Sequence, residues 1–277
     1  MNGSYPGISY MHRCSKAGCH EKFFLHTHTT MEIFCFLSGK AKYHVEGSEY
    51  ELHSGDLLLM RPAEAHYVET DPSQDYERAC INFEPDLLAA LDPDATLLQA
   101  FLQRESGTRN IYHAHAFRDN AHLTLLQHLL YAQDRLIVLA DLILLLKLID
   151  RQFQSGADVP PQSTAHRIMH YISHNLNADL SLQALCDRFY ISRAQLCRLF
   201  RRATGTTVGK YIAAKRLITA RQRILGGQKP NDVFLDCGYR DYSTFYRAYF
   251  RYFGHSPKAD ASPAAPRSLP EERIEIL

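Results

Sequence analysis

Four side chains in the first quarter of the chain could hold a metal ion. His26 and His28 are two residues apart, so on a β-strand both would point to the same side. Glu32 and His66 could complete a set of three imidazoles and one carboxylate, which suits Zn, Mn, Fe or Ni. The same side chains could instead form hydrogen bonds inside a domain or contact a small ligand, and the sequence leaves these alternatives open.

The spacing of these residues resembles the double motif of the cupin barrels. The first part reads His26-x-His28-x3-Glu32-x6-Gly39, and the second, looser part reads Gly55-x6-Pro62-x3-His66. The resemblance implies a barrel that holds either a divalent metal or a small effector. Aromatic residues on the expected strands could line an effector pocket together with the four polar residues, or could simply fill the core: Phe34, Phe36, Tyr43 and Tyr67.

The elements that would position these residues change along the chain. Residues 23–83 consist of short runs rich in Phe, Tyr, Val and Ile, separated by turn signals such as Ser54-Gly55-Asp56, which predicts a β-sandwich or barrel. Residues 86–153 are predicted to be helical. Their apolar residues recur every three or four positions from Leu123 to Ile149, and this stripe could be domain core or a dimer interface. The histidines of this region (113, 115, 122 and 128) are expected on the surface.

Charge is distributed unevenly between the two halves of the chain. The net charge is only +1, but residues 164–260 contain 16 Lys and Arg against 6 Asp and Glu. A basic half beside an acidic half points to a polyanionic partner.

The seven cysteines are scattered, no apolar leader opens the chain, and the longest apolar run, residues 136–149, contains Asp141 and Lys147. We therefore expect reduced thiols, no membrane span and a cytoplasmic location.

The basic half contains an internal repeat with an offset of 49 residues, which aligns Arg198 with Arg247 and Gly205 with Gly254. Each repeat is predicted to be a helix-turn-helix unit. In the first, Ser181 caps a helix over 182–189 and Ser192 caps a second over 193–203; in the second, Asp241 is the cap. A helix over 208–225 would join the units and hold their second helices about one DNA turn, roughly 34 Å, apart.

This half resembles the AraC/XylS transcription regulators over about 95 residues. The pattern is LSLQALCDRFYISRAQLCRLFRRATG, then KYIAAKRLITARQRIL, then DCGYRDYSTFYRAYFRYFGHSP. The resemblance implies base contacts from Ala194, Cys197, Arg198, Tyr242, Ser243, Tyr246 and Arg247. Arg201, Arg202 and Arg251 are better placed to hold phosphates. Phe250 stands where this family usually has a lysine.

Together these observations predict an α+β protein with four parts. Residues 1–155 would form a cupin-like effector-binding and dimerisation domain, 156–163 a linker, 164–258 the DNA-binding domain and 259–277 a disordered tail. The expected function is that of a homodimeric regulator, more often an activator in this family and then a partner of RNA polymerase, controlled by a sugar or other metabolite. The alternative is a metal-dependent cupin enzyme fused to a DNA-binding domain; otherwise the sequence contains no catalytic signature.

Overall fold

The computed structural model describes residues 2–18, 25–155, 163–261 and, for the backbone alone, 274–275. The chain separates into two compact units, one within 1–23 and 30–161 and the other within 24–29 and 162–277. The short segment 24–29 groups with the second unit. Its strand β3 (His26–Thr27) pairs with β11 (Ile274–Glu275). The combination of a strand-rich unit and a helical unit confirms the predicted α+β class.

Two antiparallel sheets form the strand-rich unit. The strands of this unit are β1 (Asn2–Tyr5), β2 (Ile8–Ser15), β4 (Met31–Ser38), β5 (Ala41–Val45), β6 (Ser48–Glu51), β7 (Leu57–Met60), β8 (His66–Thr70), β9 (Tyr76–Phe83) and β10 (Ile111–Tyr112). The larger sheet has the strand order β1-β2-β9-β4-β7-β10, and β8, β5 and β6 lie side by side in the other. Strands β1 and β2 precede the predicted β region, and β10 lies inside the predicted helical region.

Strand β4 is buried on both faces, which explains its nearly continuous apolar sequence. Met31, Ile33 and Cys35 belong to the core that the larger sheet shares with the helices of this unit. Phe34 and Phe36 alternate with them and belong to a second core, made of side chains from both sheets. Successive residues of a strand point to opposite faces, so even-numbered positions of β4 face the space between the sheets.

The helices of the first unit are α1 (Gln99–Leu102), α2 (Ala121–Tyr131) and α3 (Arg135–Gln154). The prediction of helix throughout 86–153 is therefore wrong for most of the segment before Ala121, where apart from α1 the chain forms turns, short 3-10 helices and β10. Proline at 93 interrupts any helix there, and Ala95, Asp119 and Asn120 adopt positive φ angles that a continuous α-helix does not allow. The predicted apolar stripe is real within α2 and α3.

The second unit is helical, as predicted. Its helices are α4 (Thr164–His174), α5 (Leu182–Phe189), α6 (Arg193–Thr204), α7 (Val208–Leu225), α8 (Pro230–Asp236), α9 (Tyr242–Phe253) and α10 (Pro257–Asp260). The three predicted caps are present: Ser181 Oγ accepts from the Ala184 amide, Ser192 Oγ from the Gln195 amide, and Asp241 Oδ1 from the Thr244 amide. In the described part of the chain, no helix is long and apolar enough to cross a membrane.

The 49-residue repeat is a structural repeat. Helix α9 begins and ends 49 residues after α6, and the glycines that follow the two helices, Gly205 and Gly254, both have φ near +70° to +80°. Helix α7 packs against both α6 and α9, so one rigid element supports both.

The second unit extends beyond its predicted end at residue 258. Asp260 lies in α10, is 8% exposed, and accepts hydrogen bonds from Arg221 Nε at 3.1 Å and from the Tyr249 hydroxyl. The predicted disordered tail therefore begins too early. Its remainder lies outside the described residues except for the backbone of 274–275, as does the predicted linker except for Ser163, which caps α4.

Candidate functional site

Helix α6 has one buried and one exposed face. Leu196 and Phe200 are fully buried, four residues apart, and hold the helix against its unit. The predicted DNA-contacting residues of this helix are all exposed: Ala194, Cys197, Arg198, Arg201 and Arg202. The structure therefore brings the five together on the surface of one helix.

A groove of about 570 Å³ lies beside this surface. Cys197, Arg198 and Arg201 line one side, and the cap residues of α5 and α7, Ser181 and Thr207, also border it. Amide groups at helix N-termini attract anions, and guanidinium groups pair with phosphate. The groove thus has the chemistry needed to hold a backbone phosphate.

Helix α9 repeats the arrangement of α6 with aromatic residues added. Phe245 and Tyr249 are fully buried, while Ser243, Tyr246, Arg247 and Arg251 are exposed and Tyr242 is half-buried. Phe250 is 49% exposed and stacks on Tyr246 with ring centroids 6.3 Å apart. This surface can therefore offer both a guanidinium group and apolar rings to a partner.

Several basic side chains of the second unit are committed to its own structure. Arg221 pairs with Asp260, Arg223 Nη2 lies 2.7 Å from Asp236 Oδ2, and Arg216 Nε donates to the Leu176 carbonyl at 2.9 Å. These three arginines are therefore not available to a polyanion, whereas the arginines at 198, 201, 202, 247 and 251 on α6 and α9 are exposed.

In the strand-rich unit, Glu32 and His66 face each other in a buried position. Glu32 Oε2 lies 3.2 Å from His66 Nε2, and the two side chains are 7% and 0% exposed. His66 Nδ1 lies 2.7 Å from the Glu64 carbonyl, which can only accept, so Nδ1 carries a proton and donates it. His28 is also buried, and one ligand atom from each of His28, Glu32 and His66 lies within 4.8 Å of the others.

The remaining predicted pocket residues differ in position. Phe34, Phe36 and Tyr43 are buried in the core between the sheets, and the Tyr43 ring stacks near His66 with centroids 6.0 Å apart. His26 is half-buried and is not a member of the three-residue cluster. Tyr67 stacks on His44 at 4.3 Å, and burial raises the pKa of its hydroxyl to about 12.

Two family models match the chain. The model described as an AraC-like ligand binding domain matches residues 13–131, and the model described as a helix-turn-helix domain matches residues 185–261. The chain belongs to the AraC family of transcription regulators. Its first unit is the ligand-binding domain of this AraC-family regulator, and its second unit is the DNA-binding domain.

Two curated relatives of this AraC-family regulator match most of the chain, and a third matches about a third of it. It is 23% identical over 235 residues, 82% of each chain, to the uncharacterized HTH-type transcriptional regulator YbfI of Bacillus subtilis. Over 211 residues, 74% of this chain and 75% of the relative, it is 24% identical to the raffinose operon regulatory protein RafR of Pediococcus pentosaceus. Over 95 residues, 34% of this chain and 75% of the relative, it is 28% identical to the multiple antibiotic resistance protein MarA of Escherichia coli.

Helix α3 of the regulator leaves large apolar side chains uncovered. Leu142, Leu145, Leu146 and Ile149 are fully buried. On the outer side Leu136 is 75% exposed, Ile137 41% and Leu144 54%. The leucine-rich stripe thus serves the core, and α3 also has an exposed apolar face.

Two features of the ligand-binding domain were missed by sequence reasoning. Arg104 forms two hydrogen bonds of 2.7 Å with the carboxylate of Glu64, and both side chains are buried. His53, Asp56 and His113 come together although 57 residues separate the last two. Only the turn signal at residues 54–56 marks that place in the sequence.

The expectation of surface histidines was also wrong at one position. His122 is fully buried, its Nε2 lies 2.9 Å from the Gly55 carbonyl, and burial lowers its pKa.

Proposed function

We propose that the regulator reads DNA with the exposed faces of α6 and α9. Arg198 and Arg247 occupy equivalent positions 49 residues apart, and both are exposed halfway along their helices. A guanidinium group in the major groove can bond O6 and N7 of guanine together. This equivalence on one rigid pair of helices is the observation that carries the proposal.

The other exposed residues have different parts in this proposal. Arg201, Arg202 and Arg251 hold phosphates, with Arg201 at the groove bordered by two helix N-termini. Ala194, Cys197, Tyr242, Ser243 and Tyr246 contact base edges.

Binding measurements on DNA variants separate base reading from phosphate contact. Arg247→Ala should cost about 1–3 kcal/mol at one base position and flatten preference there, whereas Arg202→Ala should weaken binding to all sequences about equally. Arg167→Ala, an exposed arginine on α4, is the matched control and should change neither. If Arg247→Ala leaves the base preference unaltered, the proposal that α9 reads bases in the major groove is wrong.

The effector is proposed to bind between the two sheets of the first unit. Phe34 and Tyr43 supply aromatic faces there, their centroids 4.6 Å apart, while Glu32 and His66 supply polar groups. Rings beside hydrogen-bonding groups suit a sugar or another polar metabolite. RafR is named for a raffinose operon, which supports including sugars in the first ligand panel.

A thermal-shift screen of the full chain tests this site. A ligand that binds only the folded state adds roughly 2.7 kcal/mol of stability at 100 times its Kd. The shift should shrink in Tyr43→Leu but persist in Leu91→Lys, a change at a side chain that is 72% exposed. A ligand shift that is the same in Tyr43→Leu and in the parent would place the ligand elsewhere.

A divalent metal is a second candidate for the same space. Since the Nδ1–H of His66 donates a hydrogen bond to the backbone carbonyl of Glu64, a neutral His66 would turn the lone pair of Nε2 towards the Glu32 carboxylate. Two such acceptors need a proton or a cation between them. Metal-binding histidines commonly donate a hydrogen bond from their other ring N–H to a carbonyl, as His66 does here. We propose His28, Glu32 and His66 as the ligands.

Chelation distinguishes the metal from an organic ligand. A thermal shift with Zn²⁺ or Mn²⁺ that a chelator abolishes, and that is smaller in Glu32→Gln than in the parent, would support the metal. Stability that no divalent ion alters would refute it.

This metal would also be needed for the enzyme alternative. We favour a regulator without turnover, because the relatives are transcription regulators. Product formation by the parent that disappears in Glu32→Ala, while DNA binding is retained, would favour the enzyme instead.

We further propose that the regulator is a homodimer joined through α3. Ile137, Ala140 and Leu144 are exposed at i, i+3 and i+7, and a continuous apolar stripe of this kind suits helix pairing. Leu144→Lys should convert dimer to monomer in sedimentation experiments, whereas the control Leu91→Lys should not. A Leu144→Lys protein that sediments as the parent does would exclude this face.

In the cell, the regulator is proposed to act in the cytoplasm as an activator that contacts RNA polymerase at its promoters. In vitro transcription with purified polymerase tests this proposal. Transcript levels that rise on adding regulator and effector support activation, and levels that fall support repression.

A further inference from the structure

A second cluster of metal-binding side chains lies on the first unit. His53 and Asp56 lie in the turn between β6 and β7, and His113 directly follows β10. Each offers one ligand atom, and these atoms lie within 4.8 Å of one another. We propose that the three residues form a binding site for a divalent transition-metal ion, and we choose Zn²⁺ as the probe. This site is separate from the effector and metal sites proposed above and does not depend on them.

The distances fit a small ion. Asp56 Oδ2 lies 3.1 Å from His113 Nδ1 and 3.6 Å from His53 Nδ1. In a tetrahedral zinc site with bonds of about 2.0–2.1 Å, neighbouring ligand atoms are about 3.3–3.4 Å apart. Both distances differ from this spacing by a few tenths of an ångström, which rotation of the two imidazole rings can supply.

The carboxylate is held in place by the backbone. Asp56 is 1% exposed, its Oδ1 accepts from the Ala114 amide at 2.9 Å, and its Oδ2 accepts from the His53 amide at 3.0 Å. Oδ1 has a second lone pair available for an ion, and the second lone pair of Oδ2 faces His113 Nδ1, which can bind the same ion when the ring proton lies on Nε2. Hydrogen bonds that fix a ligand in this manner favour metal binding because the ligand need not be ordered when the ion arrives.

The two imidazoles remain open to solvent. The His53 side chain is 74% exposed and that of His113 is 34% exposed, so an ion can enter without unfolding. The His113 ring is further supported by the parallel ring of His115, with centroids 5.4 Å apart. Two histidines and one carboxylate leave further coordination positions for water, a donor set typical of Zn²⁺ and Fe²⁺ sites.

Binding at this place would join two segments that are distant in sequence. The ion would tie the turn before β7 to the segment between β10 and α2. His122 of α2 already contacts the Gly55 carbonyl of that turn. We therefore expect Zn²⁺ to raise the melting temperature of the first unit.

The test is calorimetric titration of the chelator-treated full chain with Zn²⁺, carried out in the Glu32→Gln background so that the proposed barrel site does not contribute. His53→Ala and His113→Ala remove solvent-accessible ligands and leave the structural Asp56 intact. His128→Gln is the control, because His128 Nδ1 lies 2.7 Å from Asp141 Oδ2 in a pair that belongs to no three-ligand cluster among the described residues.

We expect one Zn²⁺ equivalent in the Glu32→Gln protein, at least tenfold weaker binding in each of His53→Ala and His113→Ala, and no change in His128→Gln. Co²⁺ in place of Zn²⁺ should give a visible absorption band that His113→Ala removes. The site is refuted if the Glu32→Gln protein binds no Zn²⁺, or if both alanine variants bind as the background does. If the proposed site at Glu32 binds no metal, the parent and the Glu32→Gln protein should instead bind the same number of Zn²⁺ ions.

Discussion

Replacement of Arg104 by methionine should strongly destabilise the ligand-binding domain. Its guanidinium group donates to both oxygens of Glu64 at 2.7 Å, and also to the carbonyls of Leu59, Ala100 and Thr108 at 3.0–3.2 Å. The two side chains are 0% and 1% exposed, so water cannot replace the lost donors. Methionine fills much of the same volume but removes the cation nearest to the Glu64 carboxylate, which keeps the longer pair with Arg61, whose Nε lies 3.7 Å from Oε1.

The size of the loss in stability depends on which hydrogen bonds Glu64 retains in the Arg104→Met variant. Removing one member of a buried ion pair costs about 3–5 kcal/mol. Glu64 would retain hydrogen bonds from the amides of Gly107 and Arg61 at 2.9 and 3.0 Å, so we expect the lower end, about 3 kcal/mol. For a domain of this size, 1 kcal/mol shifts the melting temperature by about 2–4 °C, which gives a fall of roughly 6–12 °C.

Differential scanning calorimetry of the full chain can measure this shift. The chain has no tryptophan, so intrinsic tryptophan fluorescence cannot report unfolding. Arg151→Met, an exposed arginine on α3, is the control and should change stability by less than about 0.5 kcal/mol. The double variant Glu64→Gln with Arg104→Met should lose less stability than the two single variants added together, because it contains no buried carboxylate that has lost Arg104. A melting temperature for Arg104→Met within about 2 °C of the parent would refute the reasoning.

Three further predictions concern stability. Burial alone would raise the pKa of Glu64, but Arg104 lowers it from 4.5 to about 2, so its stabilising effect is complete above pH 4.5 and is lost as the pH falls towards 2. The melting temperature of the parent should therefore fall more steeply over that pH range than that of Glu64→Gln. Parallel curves of melting temperature against pH would count against the ion pair of Glu64 with Arg104. Ser192→Ala removes the cap of α6 and should cost about 0.5–2 kcal/mol by denaturant unfolding, whereas the exposed Ser243→Ala should cost almost nothing; equal losses would argue against the cap. Tyr190 is 93% exposed at φ +53°, so Tyr190→Gly should raise stability by up to about 1 kcal/mol, and a clear loss would show that the ring has a contact of value.

The DNA-binding domain could be predicted closely because its signals are local. Ser181, Ser192 and Asp241 mark helix starts, Gly205 and Gly254 mark helix ends, and the 49-residue repeat tests each assignment against a second copy. Predicted and observed bounds agree for α5 and α7, and α6 is one residue longer than predicted. Each of these features depends on neighbours within one helical turn.

The ligand-binding domain was predicted less well because its structure depends on distant contacts. Strand β4 is a continuous apolar run because helices cover one of its faces and the second sheet covers the other. Its sequence therefore does not alternate between apolar and polar residues, and it does not predict which side chains face which core. Strands β1 and β2 were missed although Pro6-Gly7 separates them as a turn would. The Glu64–Arg104 pair spans 40 residues, and no local pattern signals such a contact.

The measurement that tests the central claim most directly is selection of binding sites from random DNA by the full-length regulator and by its Arg198→Ala and Arg247→Ala variants. We predict a site with two conserved parts about 10 base pairs apart, one of which loses a guanine preference in Arg198→Ala and the other in Arg247→Ala. A single conserved part, or the loss of the same base position in both variants, would contradict reading of DNA by two equivalent helices.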